Sequence, residues 1–175
     1  MSQLFFTAGQ NNIRISEMTE ISIEKVTEDN FSEFIALIEK LADYEKLTPP
    51  DEDAKSRLKA DAFCQNPKYK AYLAYINKNP AGYITFYFTY STFLAKPTLY
   101  LEDIFVSEEC RKQGIGRKLF DFCRSEAKLR GCGRMDWTVL TWNKPSIEFY
   151  EKAGAERQDW YLYRLNEDKL VQNRV

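Results

Sequence analysis

The stretch that most constrains this chain is Thr98-Leu99-Tyr100-Leu101-Glu102-Asp103-Ile104-Phe105-Val106. It is apolar at odd and even positions alike, so both faces need cover, as in the central strand of a sheet lying between helices. Two adjacent acids, Glu102 and Asp103, interrupt it. Neighbours in a strand point to opposite faces, so one pocket receives at most one of them unless a bulge intervenes. Burying a carboxylate without partners is costly. Each acid therefore admits two readings. It is satisfied by hydrogen bonds or ion pairs, or it has a raised pKa and can accept a proton.

The segments around this strand set the architecture. Ile21 to Val26 alternates as a half-buried strand. Thr27-Glu28-Asp29-Asn30 signals a helix start, and apolar residues recur at Phe31, Phe34, Ile35, Ile38, Leu41 and Ala42. Glu45 is next on that apolar stripe, and an acid there is unusual. Either the last turn frays and Glu45 sits in water, or its carboxylate points into a pocket. Pro49-Pro50 ends the helix, and a polar helix follows over Glu52 to Ala62. Ala71 to Ile76 and the aromatic Gly82 to Tyr90 read as a hairpin. After the central strand come a helix from Gly114 to Arg130, a strand from Met135 to Thr141, a short helix from Lys144 to Lys152 and a last strand from Trp160 to Leu165. This order predicts an α/β (α+β) fold, one mixed sheet flanked by helices. At 175 residues the chain fits one domain, residues 18–175, after an extension, 1–17, read as loose and flexible.

The central strand runs into Arg111-Lys112-Gln113-Gly114-Ile115-Gly116-Arg117-Lys118, which opens a helix. Strand, glycine loop and helix make a phosphate-binding arrangement, because backbone N–H groups and the helix N-terminus favour an anion. The loop is neither a Walker A sequence nor a dinucleotide fingerprint, whose third glycine position is Leu119 here. Downstream, Asn143 is placed to cap the short helix, and Asn143, Ser146 and Tyr150 form one polar line along it. Packing and catalysis are both open readings for Tyr150.

Composition narrows the chemistry. The chain contains 0 histidines, which removes Ser-His-Asp and Cys-His nucleophilic mechanisms, His general bases and His-ligated zinc. Proton transfer falls to Glu, Asp, Tyr, Cys or Lys. With 25 Lys+Arg against 26 Asp+Glu, net charge gives no reason to expect nucleic acid or membrane as a partner. Cys64, Cys110, Cys123 and Cys132 lack C-x-x-C spacing and read as reduced thiols of a cytoplasmic protein. No apolar run approaches the ~20 residues of a membrane span.

These pieces together resemble the GNAT superfamily of acetyl-CoA-dependent N-acetyltransferases, over residues 20 to 166. The carriers are Arg111-x-x-Gly114-x-Gly116 after a strand and Asn143-x-x-Ser146-x-x-x-Tyr150 downstream. Leu41-Ala42-x-Tyr44-Glu45, Tyr87-Phe88-Thr89-Tyr90-Ser91 and Tyr100-Leu101-Glu102-Asp103 resemble the diamine (spermidine/spermine) and thialysine acetyltransferases more finely. The resemblance implies the three-layer GNAT fold, acetyl-CoA as co-substrate, no metal, a small amine as substrate and a homodimer.

It also implies roles. The backbone of Ile104, Phe105 and Val106 would pair with the pantetheine arm. Lys112, Gln113, Gly114, Ile115, Gly116 and Arg117 would hold the pyrophosphate, assisted by Arg111. Asn143 and Ser146 would contact the coenzyme near its pantetheine. Tyr150 would touch the coenzyme as the acid that protonates the leaving thiolate. Glu102 would be the base, directly or through water, and Tyr44, Glu45, Glu102, Asp103 and Trp160 would line the amine site. One departure matters: spermidine/spermine enzymes carry an acid where this chain has Ser91. That points to short diamines or lysine-like amines rather than long polyamines. A protein or peptide acetyltransferase and a non-catalytic acyl-CoA binder are the alternatives.

Overall fold

The structure, a computed structural model, describes residues 20–170; the expected extension over residues 1–17 lies outside them. The described chain forms two compact units, a larger one ending at Trp137 and a smaller one starting at Thr138.

The larger unit is a five-stranded sheet with helices on both faces. The strands are β1 (Ile21–Lys25), β2 (Lys70–Ile76), β3 (Asn79–Ser91), β4 (Lys96–Val106) and β5 (Arg134–Asp136). They lie in chain order, antiparallel except for the parallel β4–β5 pair. Helices α1 (Phe31–Glu45) and α2 (Glu52–Phe63) cover one face and α3 (Ile115–Leu129) the other. On the first face Phe34 of α1 meets the Tyr83 ring edge-on at 5.3 Å, in a cluster with Phe31, Ile35, Leu73 and Phe105. On the second, Tyr72 of β2 packs on Phe122 of α3 at 4.5 Å. The sheet is therefore the middle of three layers, as the doubly apolar β4 requires. Gly82 lets β3 and β4 close up, since a Cβ there would run into the Phe105 carbonyl oxygen.

The smaller unit holds α4 (Lys144–Lys152) and a short α5 (Glu167–Leu170). Two sequence expectations change. The strand read over Met135 to Thr141 is three residues long, Arg134–Asp136. It pairs with β4 only from Thr98 to Tyr100, because β4 changes register immediately afterwards. The strand read over Trp160 to Leu165 is irregular chain. Trp160 is 86% and Tyr161 88% exposed: strand-favouring residue types alone do not make a strand without a ladder and packing to hold it.

Candidate active site

The register change in β4 organises the acid half of the site. Thr85 lies opposite Asp103, but Phe86 lies opposite Leu101, so Glu102 is an extra residue with nothing across from it. This bulge is the exception to strand alternation that the two adjacent acids demanded. Burial raises the pKa of the Tyr83 hydroxyl most, with Asp103, Glu45 and Glu102 adding to it, and burial and then Glu102 raise that of Tyr87. The Tyr87 ring leans on Tyr100 at 5.2 Å.

Glu45 joins them from α1. The helix stays ordered through Glu45 and closes at Lys46, whose N–H donates to the carbonyls of Ala42 and Asp43. Glu45 is half-buried, and burial raises its carboxyl above the usual range. The last turn is therefore not frayed, and Glu45 is not fully in water. Glu45 and Glu102 both act on Asp103, which burial pushes up to about 6 against an opposing hydrogen bond from Thr85. Thr85 Oγ1 donates to Asp103 Oδ2 at 3.0 Å and accepts from the Asp103 N–H at 3.2 Å. Three acids thus converge on one side of the sheet, a setting that attracts a cation.

The other half lies past the end of β4. Because β5 ends at Asp136, opposite Tyr100, no strand among the described residues covers the edge of Ile104, Phe105 and Val106 on the side away from β3. The chain then makes one 3₁₀ turn, Glu108–Cys110, and enters the loop. Lys112 (φ 63°) and Gly114 (φ 85°) take left-handed backbone. Gly114 caps α3, no side chain bonds the helix's first amides, and nothing lies within 4 Å of where its Cβ would be. An open strand edge and an open helix N-terminus fit an extended acyl carrier ending in a pyrophosphate. Ile115 is buried and offers backbone only, while Lys112, Gln113, Gly114 and Arg117 are exposed. The Arg117 Nε–H donates to Asp121 at 2.8 Å.

Arg111 joins the two halves. Its Nε–H donates to the Val106 carbonyl at 3.1 Å, and its guanidinium lies 4.7 Å from the centre of the Tyr44 ring. The side chain is thus turned to α1, not along the phosphate loop.

In the smaller unit, Asn143 is buried and its side chain accepts the Ser146 N–H at 3.3 Å, capping α4. Tyr150 is half-buried and meets the Phe149 ring at 5.4 Å. Trp160 belongs to no element. Ser91, at the position of the missing acid, is buried, and its Oγ accepts the Leu94 N–H at 3.3 Å. It serves the β3–β4 turn.

Two partners of Asp103 escaped the sequence reading: Thr85 and Tyr83. The signal was there in the alternation Tyr83-Ile84-Thr85-Phe86-Tyr87, which puts three hydroxyls on one face of an otherwise apolar strand. A groove of about 430 Å³ elsewhere on the larger unit, with Lys25, Lys68, Lys70, Tyr72, Phe88 and Arg130 in its walls, includes none of the candidate site residues.

A three-layer sheet with an open β4 edge, a glycine loop on the next helix and acids at mid-strand is the arrangement expected of an acyl-CoA-dependent transferase. The chain belongs to the acetyltransferase (GNAT) family, whose profile matches residues 35–155, and is an acetyl-CoA-dependent N-acetyltransferase. It is 33% identical over 165 residues to the thialysine N-epsilon-acetyltransferase of Bos taurus, covering 87% of this chain and 96% of that one. It is 29% identical over 170 residues to a human spermidine/spermine N(1)-acetyltransferase-like protein, covering 91% of this chain and 24% of that one. The crystal structure of a probable acetyltransferase superposes with a TM-score of 0.72 at 21% identity, covering 87% of this chain and 99% of that one.

Proposed function

We propose that this enzyme acetylates a primary amine of a small, cationic acceptor: a short diamine or a lysine-like amine such as thialysine. The observation that carries this reading is the convergence of Glu45, Glu102 and Asp103 on one side of the sheet. Acids there favour a cation over an anion or a neutral acceptor. Use of Ser91 in a turn leaves one carboxylate fewer than a long polyamine needs, which supports the shorter acceptors. Similarity to the thialysine enzyme points the same way.

Acetyl-CoA supplies the activated acetyl group. An alkylammonium has a pKa near ~10, so the acceptor must lose a proton before it attacks. Glu102, exposed at the bulge, accepts that proton directly or through water. Tyr44, Glu45 and Asp103 hold the cation, and family resemblance adds Trp160 to the amine-binding residues. The backbone of Ile104, Phe105 and Val106 pairs with the pantetheine arm, and residues Lys112 to Arg117 hold the pyrophosphate. Asn143 and Ser146 steady the arm, and the Tyr150 phenol returns a proton to the departing sulfur. No histidine is needed, because the amine itself is the nucleophile. The four cysteines are free thiols, in keeping with a cytoplasmic enzyme, and family resemblance supports a homodimer.

The test is an acceptor panel of diamines, longer polyamines, thialysine and a lysine peptide with acetyl-CoA, following free thiol. Short amines are expected to turn over fastest. Faster turnover of the peptide would move the reading to protein acetylation. Coenzyme binding without turnover of any amine would leave an acyl-CoA binder.

A further inference from the structure

We propose that Thr85 is a positioning residue that keeps Asp103 ionised and so fixes the lower pH limit at which the enzyme accepts a cationic amine. The inference rests on the amine-acetylation reading and adds to it a residue on β3 and the property it controls.

The geometry is a two-way clamp. A hydroxyl has one proton to donate and two lone pairs to accept with. Thr85 Oγ1 accepts the Asp103 N–H at 3.2 Å and donates to Asp103 Oδ2 at 3.0 Å. With Asp103 ionised, both groups are satisfied. A neutral Asp103 carboxyl accepts the threonine proton more weakly than a carboxylate does, and Thr85 is 5% exposed, so water does not readily make up the difference. The clamp therefore favours the anion.

The neighbouring carboxylates oppose it, and the Tyr83 hydroxyl adds only a smaller pull in the same sense as Thr85. Glu102 on the same strand and Glu45 from α1 are like charges facing Asp103, and burial acts in the same sense. From β3 the Tyr83 hydroxyl is buried beside the same carboxyl and has no partner at full hydrogen-bond geometry. Thr85 is thus the well-formed side-chain donor holding Asp103 in its charged state, and the bulge at Glu102 sets the register that brings them face to face.

Three proteins decide the matter: wild type, Thr85→Val, which keeps the shape and loses the hydroxyl, and Thr85→Ser, which keeps the hydroxyl. For each, kcat/KM for the best amine of the panel is measured from pH 5 to 9, and the Asp103 carboxyl is titrated by carbon NMR. In wild type the carboxyl and the acid limb of kcat/KM are expected to share a midpoint near about 6. Thr85→Val should move both up by about one unit. Its kcat/KM then falls about tenfold below wild type at pH 5 and matches it at pH 8.5. Thr85→Ser should restore the wild-type limb, and the KM for acetyl-CoA should stay level throughout. An unmoved limb in Thr85→Val, or a serine variant that behaves like the valine one, overturns the inference. So does a wild-type Asp103 that titrates near its ordinary ~4, a measurement that needs no variant to fold. Absence of turnover by wild type with any amine fails the functional reading instead, and is distinct from turnover with an unmoved limb.

Discussion

The two ends of β4 manage charge by different means. At mid-strand, negative charge is carried by side chains, and each is placed by a specific contact: Asp103 by Thr85, Glu102 by the bulge, Glu45 by an ordered last turn of α1. Past Val106, the features that suit an anion are mostly backbone: left-handed Lys112 and Gly114 and a first turn of α3 with no side-chain cap. The difference teaches what each end tolerates. The acid end is sensitive to which functional group is present. The loop end is sensitive to which backbone angles are allowed.

The largest expected break is at the acid end. Glu102→Gln keeps size and removes the proposed base, so kcat should fall about 10²- to 10³-fold, while acetyl-CoA binding by calorimetry stays the same. The loss should be greatest at low pH, where more of the amine is protonated. A loss constant from pH 6 to 9 would reduce Glu102 to positioning.

At the loop end the equivalent break is conformational. Gly114→Val forces a β-branched residue to φ 85°, which costs about 1–3 kcal/mol. Acetyl-CoA should bind roughly ten- to a hundredfold more weakly by calorimetry, with the amine KM little changed. Lys112 adopts φ 63° without being glycine, so Lys112→Gly should relieve strain and raise the unfolding midpoint slightly. If Gly114→Val instead changes the amine KM and spares the coenzyme, the division between the two ends fails.

A third test separates function from stability. Asp103 has a folded pKa of about 6 against an ordinary 3.8, so the folded protein binds more protons than the unfolded chain between those values. Stability contributed by protonated Asp103 is present below about pH 4 and lost as pH rises through about 6. Asp103→Asn should therefore unfold at higher urea than wild type at pH 7, by about 2 kcal/mol after allowance for partial exposure. The gap should close by pH 4, while amine turnover falls. An equal gap at both pH values would mean that Asp103 is not titrating.

The same division explains what could be read from sequence. The order of elements was legible because β4 is apolar on both faces and α1, α3 and α4 carry clear stripes or stops. Glu45 announced itself by breaking an apolar stripe, and Glu102 with Asp103 by breaking an apolar strand. The glycine loop was legible from type and spacing. The bulge at Glu102 was not, because it is a property of two strands in register, Thr85 against Asp103 and Phe86 against Leu101. The hydroxyls of Thr85 and Tyr83 stand out on their strand, but that they face Asp103 is not readable until that register is known. Trp160 to Leu165 misled for a related reason: its residues suit a strand, but a strand exists only where another edge receives it.

Arg111 is where the comparison is sharpest, since one side chain belongs to both ends. Its Nε–H holds the Val106 carbonyl and its guanidinium lies over the Tyr44 ring, so it ties the end of β4 to the helix that carries Glu45. Arg111→Lys keeps the charge but loses the planar fork and the stacking face. If Arg111 served only as a phosphate counter-charge, lysine would largely replace it and the amine KM would not move. As a tie between the two ends, its loss should raise the KM for amine and for acetyl-CoA together, each by about fivefold, the equivalent of about 1 kcal/mol. A further change of Tyr44→Leu should then add less to Arg111→Lys than it does alone, because the stacking contact has already gone. Full additivity of the two changes would leave Arg111 to the loop and the two ends of β4 independent.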